Sequence, residues 1–152
     1  MFFSVLSLGL PAQGGVGDAN EAISEYEELL RDANRKLLLG EVLAAEAKLE
    51  ELYEYLIEDG LDAGNRLRIG VELGINEIAL RRGRYEKARD GLAELATHAV
   101  DDRAVALLRA RVLRRIGDYG KSITLLQKVV ASDASDCEAR HLLAAVMHDS
   151  GF

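Results

Sequence analysis

The chain has one cysteine, one proline and no tryptophan in 152 residues, and aromatic side chains make up only 5% of it. A lone Cys137 excludes any intrachain disulfide framework and leaves the redox compartment open. Scarce proline and aromatics, beside abundant Ala, Leu, Glu and Arg, point to helix. Basic charge is also in deficit. The formal net charge of -7 argues against general nucleic-acid binding, which needs cationic surface to displace counterions from phosphates, and it favours solubility. At 49% apolar and 30% charged residues the chain can bury one sizeable core and is neither disordered nor collagen-like.

Catalytic signatures are missing too. There is no glycine-rich phosphate loop before a helix, no His-Glu-x-x-His, no Gly-x-Ser-x-Gly and no paired-cysteine zinc spacing. Cys137, His141 and His148 fall near one helical stripe. His148 is about 10 Å along the axis from His141, however, and Cys137 with His141 supplies two ligands where a closed zinc site takes four. These are read as surface or interface residues. The expectation is a protein without catalytic, cofactor or metal sites.

What the chain does have is a repeat. Gly83-Arg84-Tyr85 returns 34 residues later as Gly117-Asp118-Tyr119 and starts again at Gly151. Downstream, Tyr85, Ala88, Leu92 and Leu95 are matched by Tyr119, Ser122, Leu126 and Val129. A unit of this length holds two short helices and a tight turn, and such a hairpin buries its apolar face only by stacking on its neighbours. Gly83 and Gly117 belong where a first helix ends, because glycine takes the left-handed conformation without a Cβ penalty. Arg81-Arg82 and Arg114-Arg115 just before them complement the partial negative charge of a helix C-terminus. The expected core is Ile75, Ala79, Ala88, Leu92, Leu95, Leu113, Leu126 and Val129.

At these residues the chain resembles the tetratricopeptide repeat family, whose units read as a first helix bearing small residues, a Gly-x-Tyr turn and a second helix with alanine and large apolar residues. The resemblance covers roughly 66–152, and 18–58 more weakly. There are departures: tryptophan is absent, Val100 and Ala134 stand where a proline usually follows the second helix, Asn76 occupies a small-residue place and Arg109 a leucine place. A guanidinium at 109 must reach solvent or an acidic partner. The resemblance implies an all-α fold, a right-handed α-α superhelix or solenoid, in which first helices line a concave face and second helices form a convex back.

In chain order, residues 1–13 form an apolar run from Phe2 to Leu10 followed by Pro11-Ala12-Gln13. The run is too short for a bilayer-spanning helix of about 20 residues and fits a secretory signal peptide cleaved after Ala12. That reading implies a periplasmic or secreted protein; an apolar N-terminal tail would leave a cytoplasmic one. Residues 14–17 read as a flexible joint. Residues 18–65 form an atypical leading hairpin. Asp18 and Glu21 offer a capping box, Ala22, Ile23, Tyr26, Leu29, Leu30, Ala33, Leu37 and Leu38 recur at helical spacing up to Gly40, and a second helix from Val42 to Glu58 carries Leu43, Ala47, Leu49, Leu52, Tyr53 and Leu56. The acidic run Glu46, Glu50, Glu51, Glu54 and Glu58 is read as a solvated outer face, with docking of a basic partner as the other reading.

Residues 66–152 are the periodic part, with helices at 66–82, 85–98, 102–116 and 119–132 and a last one from the capping sequence Ser135-Asp136-Cys137-Glu138 through His148. That helix carries apolar residues on several sides, which suggests a repeat cut at Phe152. Gly70 and Gly74 lie on one helical face at a cost of about 1 kcal/mol each relative to alanine, so either a neighbouring helix or a ligand backbone must come close there.

Helical phase then outlines a groove, since residues three, four and seven apart share a face. Leu73, Glu77, Leu80 and Arg81 are followed one period later by Leu107, Leu108, Arg111, Arg114 and Arg115, and then by His141, Leu142, Ala145 and His148. Leucines beside arginines and histidines suit a peptide with apolar and acidic side chains. The alternative is that the leucines pack on neighbouring units and the arginines solvate them. The lysine and asparagine clamp that some family members use for C-terminal carboxylates has no counterpart here. The leading expectation is a scaffold for a protein or peptide partner. The other is a non-catalytic arm of a larger envelope enzyme.

Overall fold

Local signals set the element boundaries. In the computed structural model, which describes residues 16–100 and 102–151, the side chains of Asn65, Asp102, Asp118 and Asp136 each accept a backbone N–H in the first turn of the helix they precede. Each thereby satisfies a donor that a helix N-terminus leaves unpaired. Asp136 takes this position rather than Ser135, whose N–H and hydroxyl turn back to the Asp133 carboxylate. At the other ends, Gly83 and Gly117 adopt φ of 71° and 81°. Gly83 N–H donates to Leu80 O while Arg84 N–H reaches Ala79 O, and Gly117 and Asp118 repeat that pair of bonds on Arg114 and Leu113. Left-handed glycine closes the helix by giving its last carbonyls new donors.

Seven helices result among the described residues: α1 (Val16–Leu38), α2 (Val42–Glu58), α3 (Arg66–Arg81), α4 (Tyr85–His98), α5 (Arg103–Arg115), α6 (Tyr119–Ser132) and α7 (Cys137–Asp149). Consecutive helices pack as antiparallel hairpins, and α1 touches α3, α3 touches α5 and α5 touches α7. No contact joins α2 to α4 or α4 to α6 among the described residues. The odd helices are therefore the crowded inner row and the even ones the spread back of an all-α solenoid.

The start of α1 differs from expectation. Val16 and Gly17 are helical rather than part of a joint, so Asp18 lies inside the first turn instead of capping it; its side chain, like residues 1–15 with the expected signal segment, lies outside the described residues.

The core is a chain of three clusters. The first joins Tyr26, Ala33, Leu37, Leu49, Leu52, Leu56, Val71 and Ile78 across α1 to α3. The second joins Ala79, Ala88, Leu92, Leu95, Val105, Leu108 and Val112, and the third Leu107, Ala110, Leu126, Ala139, Leu142 and Val146. Ile75 and Val129, expected inside, are half-buried at cluster edges. Leu38 and Leu43, expected on buried faces, are 83% and 70% exposed because they flank the α1–α2 turn, where no described element covers them.

Both helical glycines of α3 answer to close packing. A Cβ on Gly70 would stand 2.9 Å from Leu30 Cδ2 of α1, and one on Gly74 would stand 2.6 Å from Leu49 Cδ1 of α2. Gly91 of α4 does the same for Asn76, whose Oδ1 would lie 2.5 Å from an added Cβ. Buried Asn76 donates an amide N–H to Glu72 O at 2.8 Å, within its own helix. Loop 60–65 is held by Arg68, which donates to Leu61 O at 3.2 Å, pairs with Glu72 at 3.0 Å and stacks 5.4 Å from the Tyr53 ring centre. Across the first hairpin, Tyr26 donates its phenol proton to Asp59 at 2.7 Å; burial and that carboxylate together hold the phenol well above its ordinary pKa.

Candidate functional site

The inner row builds a groove of about 360 Å³, with Asn34 and Leu37 from α1, Gly70, Leu73, Gly74 and Glu77 from α3, Arg103, Ala104, Leu107, Leu108 and Arg111 from α5, and Glu138 from α7. From α1, α3 and α5 the lining residues recur three or four apart, as one face of a helix must.

The groove's charges are largely spent on one another. Arg111 donates to Glu138 at 2.7 Å and lies 3.8 Å from Glu77, which also holds Arg81 at 2.8 Å. Glu138 in turn receives Arg103 at 2.9 Å, and Arg103 grips Asp136 in a bidentate pair at 2.6 and 2.8 Å. One ladder of ion pairs thus runs from α3 across α5 to the first turn of α7. The Arg103 guanidinium, helped by the Ala139 N–H, holds the Asp136 carboxyl far below the usual carboxylate range. Further along, Arg114 donates to Asp149 at 2.7 Å and lowers its pKa. Arg81 also donates to Leu37 O at 2.9 Å, tying α3 to the end of α1.

These contacts correct the expected division of labour. Arg111 and Arg114 were expected as free donors for a partner, but both are engaged within the chain. Leu107, Leu108 and Leu142 were expected as apolar contact surface, but they are 4%, 6% and 8% exposed and belong to the core clusters. Leu73 and Leu80 are half-buried and pack on the second cluster with one side. His141 and His148 are exposed, and His148 Nδ1 is 3.5 Å from Asp149. Glu46 departs from its acidic run, being half-buried and paired with both Arg82 and Arg84 at the α3–α4 turn. Cys137 is exposed, and its thiol donates to Ser135 O at 3.4 Å. Among the described residues no three His, Cys, Asp or Glu side chains converge as a metal site would require, and no helix is long and apolar enough to cross a membrane.

One end of the groove keeps cationic capacity. At the glycine-turn rim a pocket of about 440 Å³ is lined by Glu77, Leu80, Arg81, Tyr85, Arg111, Arg114, Arg115 and Leu142. Of its four guanidiniums, Arg81 is held by Glu77, Arg111 by Glu138 and Glu77, and Arg114 by Asp149. Arg115 is exposed and has no ion-pair partner among the described residues. In the sequence Tyr85 is a repeat marker; its place directly after the Gly83-Arg84 turn is the signal that sets it at this rim.

With this geometry the chain matches solved structures of helical-repeat proteins. A tetratricopeptide repeat protein from Parabacteroides merdae superposes with a TM-score of 0.63 at 16% identity, over 84% of this chain and 48% of that one. The chain thus spans about half the length of that protein. The C-terminal tetratricopeptide-containing domain of a protein named as an FK506-binding protein of Plasmodium falciparum superposes with a TM-score of 0.64 at 13% identity, over 86% of this chain and 91% of that domain. The chain has the tetratricopeptide repeat fold. No protein-family model and no curated protein sequence matches it. In terms of this fold α1, α3, α5 and α7 are first helices, and α2, α4 and α6 are second helices.

Proposed function

We infer that this tetratricopeptide-fold chain is a protein-interaction scaffold that seats a partner segment along its inner row, with an acidic side chain of that segment in the rim pocket. The observation that carries this reading is the exposed Arg115 guanidinium, without an ion-pair partner among the described residues, at the end of a groove whose other charges are already matched. A ligand carboxylate there meets in Arg115 a donor that need not first be pulled from an internal partner, while Leu73 and Leu80 offer their exposed sides for apolar contact. Middle-groove arginines instead keep the helices in register.

An array of short synthetic peptides, acidic-apolar, basic-apolar and uncharged, tests this directly. Acidic-apolar members are expected to bind, and Arg115→Glu to weaken them about three- to tenfold, the scale of one or two exposed charge contacts. Lys87→Glu on α4, at the back, is expected to leave binding unchanged. Equal binding by all three peptide classes, or indifference to Arg115→Glu, overturns the reading.

A further inference from the structure

The back of the molecule carries a second cleft that the groove does not explain. Arg109 and Leu113 lie on the side of α5 opposite Ala104, Leu107 and Arg111, and with Gly120, Lys121, Thr124, Leu125 and Lys128 of α6 they line a cleft of about 350 Å³. Three cations stand over a floor that includes two leucines, and no carboxylate lines it. Lys121 pairs with Asp118, but half-buried Arg109 and exposed Lys128 have no ion-pair partner among the described residues. This character is not a property of the repeat. One period earlier the same positions are Ile75, Ala79, Glu86, Lys87, Asp90, Gly91 and Glu94, one lysine with three carboxylates.

The matching surface is on the same chain. Glu51, Glu54 and Glu58 share one exposed face of α2, beside Ile57, which is 43% exposed, and none of the three is in an ion pair among the described residues. Glu51 and Glu58 are seven residues apart, as are Lys121 and Lys128, so both pairs span about 10 Å along their helices. A helix laid beside α6 can therefore place both glutamates on both lysines at once and turn Glu54 towards Arg109. Ile57 then falls near Leu125.

We propose that the α5–α6 back cleft binds the acidic α2 ridge of a second copy of this chain. Ridge and cleft are separate surfaces, so a copy that uses its cleft still offers its ridge, and assembly proceeds head to tail. Charge dominates the contact, and rising ionic strength dissolves it.

Sedimentation velocity of the full chain over a concentration series, at low and at high ionic strength, tests this. The average mass is expected to climb with concentration at low ionic strength and to fall back at high ionic strength. Lys128→Glu destroys the cleft and Glu54→Lys destroys the ridge; both positions are exposed, so helicity by circular dichroism is retained. Each variant alone is expected to associate about tenfold more weakly or not at all. Mixed together, they still have one intact ridge and one intact cleft between them, and they form a dimer that cannot extend. A wild-type chain that stays monomeric throughout, assembly that both variants leave untouched, or a mixture of folded variants that fails to pair overturns the proposal. So does a monomeric chain whose cleft takes an unrelated acidic helical peptide, which would assign the cleft to a different partner.

Discussion

The α3–α4 and α5–α6 hairpins are copies of one plan that solve their packing in opposite ways. In α3–α4 the larger residue, Asn76, is on the first helix and the space for it is Gly91 on the second. One period later the sizes are exchanged, with Ala110 on the first helix and Leu125 on the second. A second exchange accompanies it: buried Ala88 in α4 becomes buried Ser122 in α6, whose hydroxyl donates to Ala110 O at 2.9 Å. Interiors packed to crystalline density hold a sum of volumes constant rather than a residue type. The repeat therefore keeps its shape where it does not keep its chemistry.

The strongest test of that equivalence uses the seat the hairpins share. Leu92 and Leu126 occupy the same repeat position and are both fully buried. Leu92→Ala and Leu126→Ala are each expected to cost about 2 to 5 kcal/mol, read from denaturant midpoints at constant slope. If one of them costs less than about half a kcal/mol, the two seats are not equivalent and the register of that unit is wrong.

Size exchange makes a smaller and more specific prediction. Gly91→Leu brings side-chain volume against buried Asn76, and overpacking of this kind costs about 1 to 3 kcal/mol, partly offset by about 1 kcal/mol of helix propensity. Combined with Asn76→Ala it reproduces the α5–α6 arrangement, and the loss is expected to be recovered. A double-mutant cycle without favourable coupling between the two positions would show that the hairpins do not share one packing geometry.

Smallest of the three is the hydroxyl. Ser122→Ala removes one buried hydrogen bond and makes α6 like α4 at that seat, an expected loss of about 0.5 to 1.5 kcal/mol. A stabilised Ser122→Ala would mean that burial of the hydroxyl costs more than its bond to Ala110 returns.

The sequence alone determined what depends on a few neighbouring residues. Glycine returning every 34 residues set the turns, because a left-handed residue after a helix is a local requirement. The expected helix at 102–116 begins at Asp102, whose carboxylate reaches N–H groups only two and three residues ahead, and such a boundary is also local. Apolar spacing named Leu92, Leu95 and Leu126 as core, since helical phase is intrinsic to the backbone. Phase also placed Leu107, Leu108 and Arg111 on one face of α5, but not what that face would meet. Only the tertiary structure decided that α3 and α7 close on it, burying the leucines and setting Arg111 between Glu77 and Glu138. It likewise decided that Gly91 answers Asn76 and that Asp136 lies under Arg103 from 33 residues away. Helical phase fixes a side chain's direction about its own axis; the crossing of helices distant in sequence fixes its partner.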